Sequence, residues 1–225
     1  MTLEINYGGE RTEHVRPFKI AKYPVTWGQF RAFERASDGL REDRWWRDIS
    51  YDRRWNDDSD EKDNHPVITV SWHHAVAFCC WLTYRFRTTG VIDQTSVVRL
   101  PTEWEWFQAA TGGDPRNSYP WGSGSDARNA NSKHSKLGRT IAVGMYPNGA
   151  SAAGILDMVG NVDEWCLNNG DDPFDVTGAI PAVCGGSWDS DLTHGLHLLR
   201  GTQSLGSPSG LIGFRICLIS GVWQN

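Results

Sequence analysis

The first candidates for chemistry are five carboxylates close together, Asp57, Asp58, Asp60, Glu61 and Asp63. Oxygen ligands of this kind suit a hard cation such as calcium. An EF-hand loop needs a glycine at its sixth position and a distal glutamate at fixed spacing; neither is present, so the cluster reads as a solvated loop. His73 and His74 are adjacent and lack a third ligand in the pattern, so they read as surface histidines, not a zinc site. Glu103 and Glu105 have the types of an acid/base pair, yet they open a predicted helix, where carboxylates complement the positive end of the dipole. The five cysteines, Cys79, Cys80, Cys166, Cys184 and Cys217, are odd in number and show neither CxxC nor zinc spacing. Buried thiols in a reducing compartment are the expectation. The stretch Gly154–Trp165, GILDMVGNVDEW, is dense in small and oxygen-bearing residues and would suit a strand entering a metal loop.

The elements that must position these groups can be read from local patterns. Phe18–Val25 reads as a short strand, and Thr26 caps a helix over 27–36 with Trp27, Phe30 and Phe33 on one face. Trp45, Trp46 and Trp55 are bulky enough to pin the polar segment 37–64 to the body. After the apolar stretch His65–Val70, Ser71 caps a second helix in which Ala75, Phe78, Cys79 and Leu82 follow an i, i+3, i+4, i+7 pattern. Thr102 and Glu105 match a capping box for a third helix, which Gly112-Gly113 ends. Beyond it the chain is rich in Gly, Asn, Ser and Pro, and Tyr119-Pro-Trp-Gly122 reads as an aromatic-anchored turn.

Bulk properties narrow the classes. With 225 residues, 12 Trp and 24 Gly, the chain can bury a core while keeping many loops. A net charge of -5 offers no basic footprint for nucleic acid. No apolar run is long enough for a membrane span. Met1-Thr2-Leu3-Glu4 has neither the charged nor the apolar region of a signal peptide, so a cytoplasmic location is expected.

Taken together, seven motifs in order resemble the formylglycine-generating enzyme (sulfatase-modifying factor) family. They are Tyr23-Pro-Val-Thr26, His65-Pro-Val-Ile-Thr-Val-Ser-Trp72, Arg99-Leu-Pro-Thr-Glu-Trp-Glu-Trp106, Tyr119-Pro-Trp-Gly122, Asp157-Met-Val-Gly-Asn-Val-Asp-Glu-Trp165, Gly185-Gly-Ser-Trp188 and Gly213-Phe-Arg215. The resemblance covers residues 16–218 of one domain spanning 1–225. It implies an α+β, C-type-lectin-like fold with two to three helices, short mixed strands and many loops. It also implies a structural calcium ion held by the carbonyls of Val159, Gly160 and Val162 and by the Glu164 side chain; the alternative is that Asn161 and Glu164 hydrogen-bond the loop without metal.

Oxidases of this family use a cysteine pair shortly after the Gly-Gly-Ser-aromatic motif, where two thiolates hold copper. Here no cysteine lies between Gly185 and Ile216, and Ser190 and Gly195 stand roughly where the pair would be. No copper and no oxidase activity are therefore expected. The related sulfoxide synthases join this domain to a helical bundle with an iron-binding histidine motif, and none precedes Phe18.

The chain is most similar to the variable proteins of diversity-generating retroelements, in which a segment between a Gly-Gly-Ser-Trp-like start and an Ile-Gly-Phe-Arg-like end is rewritten. Asp189–Leu211 would be that segment, 23 positions long. AAC-type codons randomised at both adenines never yield Lys, Glu, Gln, Met or Trp. Those five types fill 34 of the chain's 225 positions, so the segment should hold three or four of them; it holds Gln203 alone. The resemblance implies a non-enzymatic protein that binds a ligand, expected to be a protein, through a displayed surface. Candidates for display are Asp189, Ser190, Asp191, Thr193, His194, Gly195, His197, Leu198, Gly201, Thr202, Ser204, Gly206, Ser207, Ser209, Gly210 and Leu211. Leu192, Leu196, Leu199 and Gln203 would be inward or fixed, and Trp188, Arg200, Phe214 and Arg215 would anchor the segment. The alternatives are an oxidase of the family whose catalytic residues lie elsewhere, and a binding domain of fixed specificity.

Overall fold

The computed structural model describes residues 2–6, 10–46, 61–114, 116–169, 180–193, 195, 200–204 and 209–221. Three helices open the ordered body: α1 (Trp27–Arg35), α2 (Trp72–Thr88) and α3 (Glu103–Thr111). Each begins with a reciprocal capping box, in which the cap hydroxyl accepts from the third helical N–H and the third side chain accepts from the cap N–H. The pairs are Thr26 with Gln29, Ser71 with His74, and Thr102 with Glu105. Gly112 ends α3 at φ 68°, a left-handed conformation in which a side chain would be strained.

The strands are short. β1 (Thr2–Asn6) and β2 (Glu10–His14) form a hairpin that the hydrophobic pattern had not suggested. Of the strand expected over 18–25, only β3 (Lys19–Ile20) is regular. Pro24 has no N–H to give a ladder, and the chain continues instead through single bonds, Ala21 N–H to Ile216 O and Val25 N–H to Phe214 O. β4 (Val97–Arg99) pairs antiparallel with β9 (Cys217–Ile219), which also pairs with β3, giving the order β3-β9-β4.

The second sheet carries the segment of interest. Its strands are β5 (Asp163–Asn169), β6 (Pro181–Cys184), β7 (Arg200–Thr202) and β8 (Ile212–Gly213), in the order β7-β6-β5-β8. β5 runs antiparallel to β6 and parallel to β8, and β6 runs antiparallel to β7. The period-2 alternation of a strand sorts its side chains between two cores. Trp165 and Val183 face the α1/α2 core with Phe30, Phe78 and Phe214. Cys166, Ala182 and Cys184 face a second core with Trp106, Phe107, Met158 and Leu192. The chain leaves this sheet at Cys184, touches its far edge as β7, and returns on the opposite edge as β8. Residues 185–211 therefore span the full width of a sheet packed on both faces.

Candidate functional site

The segment starts at a turn fixed from below. Gly185 (φ 105°) and Gly186 (φ 69°) take conformations that favour glycine, and a Cβ on Gly185 would meet Met158 O and the Trp106 ring at 3.0 Å. Asn161 O accepts from Trp188 N–H at 3.1 Å, and Gly185 O accepts from Gly160 N–H at 3.1 Å. The Asp163 side chain accepts from Gly186 N–H, while Asp163 N–H donates to Leu211 O at 2.9 Å. One residue thus holds both ends of the segment. Burial, together with the nearby Glu164 charge, pushes the Asp163 carboxyl up to about 7, against the lowering effect of the Gly186 bond.

The middle is fixed by an ion pair. Arg200 donates from Nε to Glu103 Oε2 at 2.7 Å, and Glu103 is wholly buried at the start of α3. The Glu103 N–H is in turn held by Asn168 Oδ1 at 2.7 Å. At the far end, Arg215 is wholly buried and donates to both oxygens of Glu164, at 2.6 and 2.7 Å. Its remaining donors meet the carbonyls of Ala21, Leu156 and Asp157. Phe214 packs edge-on against Phe30 and Phe78.

Between these fixed points, Asp189, Asp191, Thr193, Thr202, Ser204 and Gly210 are exposed. Other candidates for display lie elsewhere. Gly195 is buried at φ 79°. Ser190 is a turn residue: its hydroxyl accepts from Ser187 N–H and its carbonyl from Lys133 N–H. Ser209 closes the return, accepting from Thr69, Leu211 and Ile212 N–H groups, and Leu211 is half-buried against the α1/α2 core. Gly201 is half-buried in β7 opposite Val183. Leu192 is buried, and its carbonyl accepts from the Tyr119 hydroxyl. Gln203 is half-buried, as is Trp188. His194, Leu196, His197, Leu198, Leu199, Gly206 and Ser207 lie outside the described residues, as do Trp55, Asp57, Asp58 and Asp60.

The calcium reading does not fit this arrangement. Glu164, its one charged ligand, already accepts three hydrogen bonds, two from Arg215 and one from Trp106 Nε1 at 2.7 Å. Its charge is balanced by a guanidinium, so a dication there would be set against a buried cation. The Gly160 carbonyl, a second expected ligand, is occupied by Val162 N–H at 2.8 Å.

Three smaller expectations also change. His74 is buried as the third residue of the α2 capping box and packs edge-on to Trp46, so it is no surface histidine; burial lowers the pKa of its neighbour His73. Glu103 and Glu105 do more than complement a dipole, because Glu105 also holds Arg99 bidentately at 2.6 and 2.7 Å. Of the five free cysteines, Cys80 is exposed and the others are buried, with Cys166 and Cys184 sulfurs 3.8 Å apart on adjacent strands. Burial raises the pKa of both, so in the metal-free protein they are neutral thiols.

Sequence reasoning named Arg200 and Arg215 but missed their partners, and it missed Asp163; its alternative to calcium, that Asn161 and Glu164 hydrogen-bond the loop, matches the bonds seen here. The signal for Glu103 was available, since a second carboxylate next to a capping glutamate at a helix start is more than the cap needs.

Comparison with known proteins gives this arrangement a context. Residues 3–219 match the family described as sulfatase-modifying factor enzyme 1-like domain. A hercynine oxygenase of Mycolicibacterium thermoresistibile is 32% identical over 182 residues, 69% of this chain but 37% of that protein. An inactive C-alpha-formylglycine-generating enzyme 2 of Mus musculus is 29% identical over 262 aligned positions, covering 95% of this chain and 79% of the relative. Among solved structures, Treponema denticola variable protein 1 aligns with a TM-score of 0.71 at 20% identity, over 96% of this chain and 91% of that one. That likeness establishes a shared fold.

Proposed function

The chain belongs to the sulfatase-modifying factor enzyme 1-like domain family, and on that premise we propose that it is a non-catalytic protein that binds a protein ligand through residues 189–211, a segment diversified by a retroelement. The observation that carries this reading is the division of labour along the segment. Trp188, Arg200, Phe214 and Arg215 are tied to residues outside it, while Asp189, Asp191, Thr193, Thr202, Ser204 and Gly210 are exposed between the ties. Loops on a rigid scaffold accept substitution that a core does not. The fold is also shared with Treponema denticola variable protein 1.

The competing reading is an oxygen-dependent enzyme, since hercynine oxygenases are among the relatives. The absence of cysteine from Gly185 to Ile216 disfavours copper held by a thiol pair in that segment. Calcium has no part in the proposal. No helix among the described residues is long and apolar enough to cross a membrane; the cytoplasm is the location we propose.

The test replaces Asp189, Asp191, Thr193, Thr202 and Ser204 together. The melting temperature should fall by no more than about 5–10 °C, because five surface substitutions at about 0.5 kcal/mol or less each sum to at most about 2.5 kcal/mol, while the set of captured proteins changes. Unchanged capture, or wholesale loss of stability, would overturn the reading. A near-copy of codons 185–215, differing only at its adenines and lying beside a reverse transcriptase gene, would establish diversification. Oxygen consumption with a cysteine peptide and copper would favour the enzyme.

A further inference from the structure

Not one Asp or Glu occurs between Ala127 and Leu156, although the chain holds 27 acidic residues and is negative overall. The same stretch carries Arg128, Lys133, His134, Lys136 and Arg139, all exposed. Arg128 is paired with Asp126, and His134 Nε2 stands 3.9 Å from Asp191. Among the described residues, Lys133, Lys136 and Arg139 make no ion pair. Three cations within seven positions, without an ion-pair partner among the described residues, make a local field that the net charge conceals.

This cationic loop is welded to the candidate binding segment. Lys133 N–H donates to Ser190 O at 3.2 Å. Asn131 Nδ2 bonds both Arg139 O and Asn161 Oδ1, and Asn161 N–H donates to Asn131 O at 2.7 Å. Asn161 also exchanges bonds with the Ile141 backbone. Its carbonyl is the one that accepts from Trp188 N–H. A single buried asparagine therefore sets the position of the loop relative to the start of the segment. Unlike the segment, the loop lies outside any stretch to be rewritten.

We infer that Lys133, Lys136 and Arg139 form a constant rim of the binding surface, and that the partner is a protein presenting discrete carboxylates to it. The inference rests on residues 189–211 being the binding surface. It adds a constant electrostatic contribution that every variant of the segment inherits. A nucleic acid is the poorer fit: Asp189 and Asp191 are exposed on the same surface and would repel a uniform polyanion. A protein can place acids against the rim and neutral or basic groups against these two residues. Rim charges act mainly on the association rate and on its salt dependence.

The test compares the full chain with the variant K133E/K136E/R139E, whose unchanged melting temperature verifies folding. The probe is a fluorescein-labelled glutamate-rich peptide, with oligo(dT) in a parallel arm. Wild type should bind the peptide at low salt and lose it as salt rises, and the variant should associate about tenfold or more slowly. Equal binding by the variant, no binding by wild type, or tighter binding to oligo(dT) would overturn the inference. The chain with Asp189, Asp191, Thr193, Thr202 and Ser204 replaced serves as the third arm. If it keeps peptide binding and its original captured proteins, the proposed function fails and the rim falls with it as part of that surface, although the cationic loop still binds acidic peptide. If it changes proteins while the rim variant binds peptide as wild type does, the proposed function stands and the rim alone fails.

Discussion

Arg200 and Glu103, 97 positions apart, meet through a 2.7 Å hydrogen bond in which a wholly buried carboxylate holds a guanidinium on the edge strand β7. The bond pins the middle of a loop-rich segment to the first turn of a helix.

Removing that bond should destabilise the protein. Arg200→Ala leaves Glu103 buried without its cation and should cost about 2–3 kcal/mol by urea denaturation. In the pair E103Q/R200A the loss should be smaller than the sum of the single variants, because no charge is then left unpaired. Additive losses would mean that the two residues act independently.

Leu192 and Thr193 provide a contrast at adjacent positions. Leu192→Ala opens space in the core that contains Trp106 and Met158 and should cost about 2–4 kcal/mol. Thr193→Ala, at an exposed position, should stay within about 0.5 kcal/mol. Comparable losses at both would contradict the division between fixed and displayed residues.

Arg215 stands where the sequence suggested an ion. Adding calcium or a chelator should shift the melting temperature by less than about 1 °C, since a ligand stabilises only in proportion to its binding of the folded state. Arg215→Met should cost about 3–5 kcal/mol by leaving Glu164 buried and unpaired. A large calcium-dependent stabilisation of the wild type would return Glu164 to a metal site.

Asp163 predicts a pH dependence. Its folded pKa, about 7, lies above the ordinary aspartate value of 3.8. Between those values the folded state holds a proton that the unfolded chain has lost, so this group's contribution to stability declines as pH rises from about 4 to 7 and levels off above. Asp163→Asn should flatten that part of the melting profile and raise the melting temperature more at pH 8 than at pH 5. An unchanged slope would refute the assignment.

What the sequence disclosed follows the range of the forces involved. Thr26, Ser71 and Thr102 were legible as caps because a cap is decided within four residues. His74 escaped because an imidazole fills the position where Glu or Gln is the usual sign. The ordered motifs carried the fold class. Arg200 and Arg215 could be named as anchors, but their carboxylates lie 97 and 51 positions away, and no local spacing points to them. The same limit applies to exposure in the segment. Gly195, Ser190 and Ser209 are polar or small residues without a hydrophobic pattern, and only the fold shows that Gly195 is buried and that the two serines are spent on backbone N–H groups.

The placement of β8 and β9 after the segment has a genetic consequence. β9 is the common neighbour of β3 and β4, β8 completes the second sheet, and between them stand Phe214 in the α1/α2 core and Arg215 in the buried ion pair. On the proposed reading, base changes at AAC-type codons leave no stop codon, but a frameshift introduced while the segment is rewritten would delete all of these at once. Such a product could not close either sheet and would persist as an unfolded chain, which cells degrade. If the segment is rewritten as proposed, folding itself would act as a proofreader of the reading frame, passing amino-acid changes at exposed positions and discarding frameshifted copies.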